Sequence, residues 1–149
     1  MEPIIQLNSE AELSPHFVLG EFTRSNYPEV YNIPSHEAIA NLKRLCTWLE
    51  ALRERAGRSI VINSGYRSPA VNKLAGGVAT SNHVTGCAVD IRCVGKEQMI
   101  RYASILLDIA DGTGKDFDEL LLEQHGNICW LHFAVRPKEN RKKILFLKV

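Results

Sequence analysis

From residue 38 to residue 52, apolar side chains fall at Ala38, Ile39, Leu42, Leu45, Cys46, Leu49 and Leu52, the spacing of one helix face. Pro34 and Ser35 stand at its start, with Ser35 as the expected N-cap, and Gly57 stops it. A second amphipathic helix is predicted over 96–110. Elsewhere the runs are shorter and rich in Val, Ile and Leu. Those at 59–64, 87–92, 118–123, 128–135 and 144–149 predict strands, the first broken by Gly65. Gln124-His-Gly-Asn127 between two of them reads as a hairpin turn. Pro69 predicts the start of a short helix over 70–74, before the turn-like Gly76-Gly77. Pro3, Pro15, Pro28 and Pro34 interrupt any period in the first part of the chain, so about 1–34 is expected to be irregular. Strands outnumber helices and several neighbours read as antiparallel. The expected class is α+β, a small, mostly antiparallel sheet packed against helices.

The chain has 149 residues, no internal repeat and no linker rich in Pro, Gly or Ser, which fits a single domain over 1–149. Its 45% hydrophobic and 23% charged composition is that of a globular protein. Eighteen basic against 17 acidic residues leave a net charge of +1, which argues against a nucleic-acid partner held by phosphate neutralisation. No apolar run is long enough to span a membrane. The start carries neither a basic n-region nor an apolar h-region, so no signal peptide is read there. Cys46, Cys87, Cys93 and Cys129 form no CxxC pair and read as buried free thiols.

The candidate chemistry starts at Ser81-Asn-His83-Val-Thr-Gly86-Cys-Ala-Val-Asp90. A charged Asp90 between Val89 and Ile91 is costly in an apolar strand unless it is paired or bound to a cation. His83 lies in the loop just before, where Gly86 lets the chain bend back. His132 repeats the oddity in Ile128-Cys-Trp130-Leu-His132-Phe-Ala134. Two imidazoles and one carboxylate suit a catalytic zinc with one position open for water. Taken singly, each has a plainer reading, a hydrogen-bonded core histidine or a salt-bridged strand aspartate, and residue type alone leaves both open.

The stretch Ser81-x-His83-x-x-Gly86-x-Ala88-x-Asp90, followed by Trp130-Leu-His132, resembles the zinc D-Ala-D-Ala carboxypeptidase family of peptidoglycan peptidases. That family includes endolysins cutting L-Ala-D-Glu bonds and shares its fold with the signalling domain of hedgehog proteins. Ser64-Gly-Tyr-Arg67-Ser68 with Asn72 is similar to its SGYRS-x-x-x-N segment. Phe17-x-x-x-Glu21-Phe-x-x-Ser25 and Phe117-Asp118-Glu-Leu120 resemble features of one subgroup, so the likeness runs over roughly residues 16 to 135.

The resemblance implies that His83, Asp90 and His132 bind one Zn2+, and that Arg67 meets a substrate carboxylate or the oxyanion. Ser81 is expected either to bind substrate or to cap the metal loop. Better-known branches place an acid or histidine three residues before the last histidine, and here that position is Cys129. The general base is therefore sought on the preceding strand, where Glu119, Leu121 and Glu123 share a face. A symmetric four-residue turn would set Glu119 opposite His132, whereas the family likeness favours Glu123; His125 is a third candidate. Glu123 is the expected base. His16 and His36 read as surface or capping residues, and the run from Arg136 to Lys143 as a solvated loop whose charge could attract anionic wall polymers.

The expected function is a monomeric zinc peptidase of peptidoglycan stem peptides, a D,D-carboxypeptidase or an endopeptidase of endolysin type. The alternative is a zinc- or murein-binding module of the same fold that has lost its base. The expected setting is cytoplasmic synthesis followed by action at the cell wall, by phage-type release or with a leader outside this sequence.

Overall fold

The computed structural model describes residues 7–149. Along the chain come β1 (Glu12–Ser14), β2 (Phe17–Val18), α1 (Gly20–Thr23), α2 (His36–Ala56), β3 (Ile62–Ser64) and α3 (Pro69–Leu74). A 3-10 turn at Asn82–Thr85 leads into β4 (Ala88–Cys93), followed by α4 (Gly95–Thr113), β5 (Glu119–His125), β6 (Ile128–Ala134) and β7 (Lys143–Lys148). The α2 boundaries follow from its ends. Ser35 Oγ accepts the Ala38 N–H, and Gly57 takes φ +68° while its N–H closes on the Arg53 carbonyl.

Five strands form one sheet in the order β3-β4-β6-β5-β7. All its pairs are antiparallel except β5 with β7. Alternation gives the sheet two unlike faces. Val89 and Ile91 of β4, Leu131 and Phe133 of β6, and Leu120 and Leu122 of β5 are buried in the core that α2 and α4 complete. Phe133 is the hub of that core, with ring centroids 5.2 Å from Trp48 and 5.8 Å from Phe117. Asp90, Trp130, His132, Glu119, Leu121 and Glu123 are left on the opposite face. All four cysteines are buried free thiols, and burial pushes the Cys46 and Cys93 thiols up to about 12, so neither is a nucleophile at neutral pH.

Three expectations change. The segment before α2 is not wholly irregular: β1 and β2 pair, and α1 packs beside β3. Pro15 sits in the tight turn between β1 and β2, so there it shapes structure rather than excluding it. Residues 1–6 lie outside the described chain. The β5–β6 connection is a two-residue turn, Gly126-Asn127, not four residues. Gly126 takes φ +59°, so the strands reverse within two residues and His125 pairs with Ile128. Finally, the strand expected at 59–64 is shortened to β3.

Candidate active site

Asp90 and His132 are Cα partners across β4 and β6. Val135 N–H bonds the Cys87 carbonyl one step beyond that ladder. Alternation from that pair makes 90/132 a non-hydrogen-bonded pair, the kind that brings facing side chains closest. His132 Nδ1 lies 3.1 Å from Asp90 Oδ1.

His83 reaches the same carboxylate from the 3-10 turn. Ser81 Oγ caps that turn by accepting the His83 N–H, and Asn41 on α2 bonds the Thr85 carbonyl. Gly86 closes the turn at φ +76°, where a Cβ would stand 2.5 Å from the Ala38 carbonyl oxygen. Gly86→Ala should therefore lose at least about 2 kcal/mol in urea unfolding, from left-handed strain and displacement of α2. A loss below 0.5 kcal/mol, about the error of such a comparison, would show that the loop can relax without α2.

The donor set fits a metal ion. His83 Nδ1 bonds the Gly65 carbonyl at 2.7 Å, which assigns its proton there and leaves Nε2 facing Asp90 Oδ1 at 3.4 Å. His132 Nε2 bonds Glu119 Oε1 at 2.9 Å, so its Nδ1 is the nitrogen turned to Asp90. Ligand atoms of His83, Asp90 and His132 thus lie within 4.8 Å of one another, each imidazole oriented by an oxygen behind it. With no metal, burial works against a charged His132, but hydrogen bonds to Asp90 and Glu119 outweigh it and push its pKa up to about 9. Burial likewise opposes ionisation of Asp90, and the two histidines overcome it, holding the carboxyl well below its usual range. A metal has to displace the His132 proton.

The triad opens into a cleft of about 550 Å³ that also receives Arg67, Ser81, Glu119 and Glu123. Arg67 stands 3.5 Å from Asp90 Oδ2, and its backbone N–H bonds the His83 carbonyl. Ser81 caps the turn and also lines the cleft. Asn72 stays out of the cleft. It is buried and donates to the Val78 carbonyl, bracing the turn after α3.

The three base candidates separate. Leu121, not Glu119, is the Cα partner of His132, because the shorter turn shifts the register by two residues. Glu119 still reaches His132 on the diagonal, and it also accepts from Asn82 Nδ2 at 2.7 Å. Those bonds hold its carboxyl below the usual range, the His132 bond first. Glu123 faces Trp130, whose Nε1–H donates to Oε2 at 2.9 Å. Burial, then the charge of Asp90, pushes the Glu123 carboxyl up. His125 is exposed at the hairpin tip and bonds the Val149 carbonyl, outside the cleft. Cys129 is buried on the core face. His16 pairs with Glu50 at 2.7 Å, a surface role as expected.

A polar network under the cleft floor escaped the sequence reading. Asp118 is fully buried and accepts from Asn82, twice from the Arg141 side chain and once from its backbone. Arg136 Nε stands 3.2 Å from it. Two arginines of the run expected to be a solvated loop are thus anchored. The network's sequence signals were an Asp opening an apolar strand, within the segment Phe117-Asp118-Glu-Leu120, and a late arginine cluster. Burial opposes ionisation of Asp118, but the Arg141 and Asn82 hydrogen bonds prevail and lower its pKa from 3.8 to about 2. The folded pKa lies below the unfolded one, so this stabilisation is fully present above about pH 4 and fades as pH falls through 2. Asp118→Asn should cost about 2 kcal/mol at pH 7 in denaturant melts and much less at pH 2. An equal cost at both pH values would assign the effect to packing.

The family model for peptidase M15 matches residues 15–117 of this chain. The chain belongs to the peptidase M15 family. Within this M15 peptidase, the match takes in Arg67, Ser81, His83 and Asp90, and ends before β5 and β6, which carry Glu123 and His132. Among solved structures, the L-Ala D-Glu endopeptidase ChiX of Serratia marcescens aligns over 74% of this chain and 96% of its own, at 16% identity and a TM-score of 0.47. No curated protein matches this chain. No helix of the described residues is long and apolar enough to cross a membrane.

Proposed function

We propose that this M15 peptidase is a zinc-dependent hydrolase of peptidoglycan stem peptides, of D,D-carboxypeptidase or endopeptidase type. The observation that carries this reading is the convergence of His83, Asp90 and His132 on one point of a cleft that also holds the carboxylate of Glu123, bonded among the described residues through Oε2 alone. Two neutral imidazoles and one carboxylate would leave a bound Zn2+ at net +1, able to polarise the scissile carbonyl and acidify the attacking water.

The protein groups then divide the remaining work. Glu123, with its carboxyl pushed up by burial, accepts the water proton on Oε1 while Trp130 holds Oε2. Arg67 leans on Asp90 and presents its remaining donors to the carbonyl oxygen as that oxygen gains charge, or to a substrate carboxylate. Glu119 fixes the His132 ring from behind. Ser81 completes the rim. Cys129 supports a second reading, a non-hydrolysing zinc- or murein-binding module, because a buried thiol replaces the base position of better-known branches. Mass spectrometry of peptidoglycan fragments after incubation with zinc-loaded protein, with and without chelator, separates the two. Chelator-sensitive release of stem-peptide fragments is expected. Intact peptides alongside full zinc occupancy would favour the binding module.

A further inference from the structure

Four basic side chains line the cleft, and they stand on two walls. Arg67 leaves the end of β3, next to Asp90. Arg136 and Arg141 belong to the crossover after β6, and Lys143 opens β7, beyond His132 in the sheet. Four strand spacings of about 4.8 Å separate β3 from β7, roughly 19 Å across the sheet, the reach of about six extended residues.

On the second wall three basic groups, Arg136, Arg141 and Lys143, face two carboxylates, Asp118 and Glu119. Asp118 supplies one negative charge to two guanidinium groups. Glu119, 3.6 Å from Arg141, is bound to His132 and Asn82. Arg136 donates to Asn82 through Nε, and its terminal nitrogens make no hydrogen bond among the described residues. Lys143 forms no ion pair there either, although it is the Cα partner of Glu119. Arg141 spends its Nε and Nη2 donors on Asp118, which fixes the guanidinium plane and leaves Nη1 as the nitrogen that can meet a ligand. Outside the cleft the basic run is broken, since Lys142 pairs with Asp116 and Glu139 interrupts it. That favours a compact anion inside the cleft over a long polyanion across the surface.

We propose that Arg136, Arg141 and Lys143 form a carboxylate-binding subsite opposite Arg67, which makes acidic peptides the substrate class of this cleft. It rests on the peptidase reading for the peptide that crosses the metal triad. An extended peptide runs from Arg67 over the triad and sets a free carboxylate, α or side-chain, on the second wall. The preference weakens with salt, because the wall is partly exposed.

The test uses a pentapeptide stem with its carboxylates free and the same peptide with them converted to carboxamides. Binding is measured on zinc-loaded Glu123→Gln protein, in which hydrolysis is slowed, and kcat and KM on wild type. The free acid should bind about tenfold or more tightly than the amide, the usual scale of one charge-assisted pair. Arg136→Gln and Lys143→Gln should each cut that preference to about threefold or less and raise KM more than they lower kcat. Lys143 is exposed on an edge strand, so its variant serves if Arg136→Gln disturbs the Asp118 network. Equal binding of acid and amide, an unchanged preference in both variants, or no binding of either peptide would overturn the subsite. So would displacement by poly(glycerol phosphate) with no effect of carboxylate amidation, which would mark the wall as a polymer dock. Acid preference without any hydrolysis by wild type refutes the peptidase reading and leaves the subsite standing; hydrolysis without preference does the reverse.

Discussion

His132→Ala is expected to emerge from zinc loading with less than about a tenth of the metal that wild type holds at micromolar protein, and with no measurable turnover. The substitution removes one of three ligands and also the partner of two acidic groups. Asp90 and Glu119 both bond that imidazole, so its loss leaves two carboxylates together in a half-buried cleft. That arrangement costs about 1–3 kcal/mol, which the core on the other sheet face should absorb, so far-UV circular dichroism should match wild type. Glu119→Gln is the graded companion. It keeps all three ligands but replaces the carboxylate behind His132 with an amide, and zinc affinity should fall about 10- to 100-fold. Full zinc occupancy in His132→Ala would remove this histidine from the ligand set.

What the sequence made legible was local. The α2 stripe and its caps, the strand carrying Asp90 and the strand carrying His132 all follow from periodicity, and the structure places them as expected. Asp90 and His132 stood out because charged or titratable groups in apolar strands demand partners, whereas His83, in a loop, joined them through the family resemblance. What escaped was long-range. Register across the β5–β6 hairpin depends on whether one glycine adopts a positive φ, and a two-residue change in turn length moves Glu119 from opposite His132 to opposite Ala134. Face assignment survived that error because the shift is even, so Glu119 and Glu123 stayed on the cleft side. The Asp118 network joins residues separated by 18 to 54 positions in the chain, and no periodicity reports such a pairing. β7 lies parallel to β5 after a crossover, a neighbour that a hydrophobic run alone does not specify.

The base is decided by two glutamates on one strand. Glu123→Gln retains the size of the side chain and an amide oxygen that still accepts the Trp130 N–H, so the cleft should keep its shape and its zinc. What it loses is a carboxylate able to take a proton, and turnover should fall by about 10² to 10⁴. The pH profile supplies the second readout. A base must be ionised, and burial together with Asp90 raises the Glu123 pKa, so the wild-type rate should fall with acid at a pH above the ordinary glutamate value. That limb should be displaced or lost in Glu123→Gln. Glu119→Gln should behave differently: its defect should be one of zinc retention, repaired by excess zinc, because Glu119 is bound to His132 rather than left open to the water. If at full zinc occupancy Glu119→Gln is dead and Glu123→Gln is active, the roles are exchanged and the diagonal carboxylate does the proton transfer. If both variants turn over normally, the proton acceptor lies elsewhere, and His125 at the hairpin tip is too remote from the cleft in this structure to serve without movement of the hairpin.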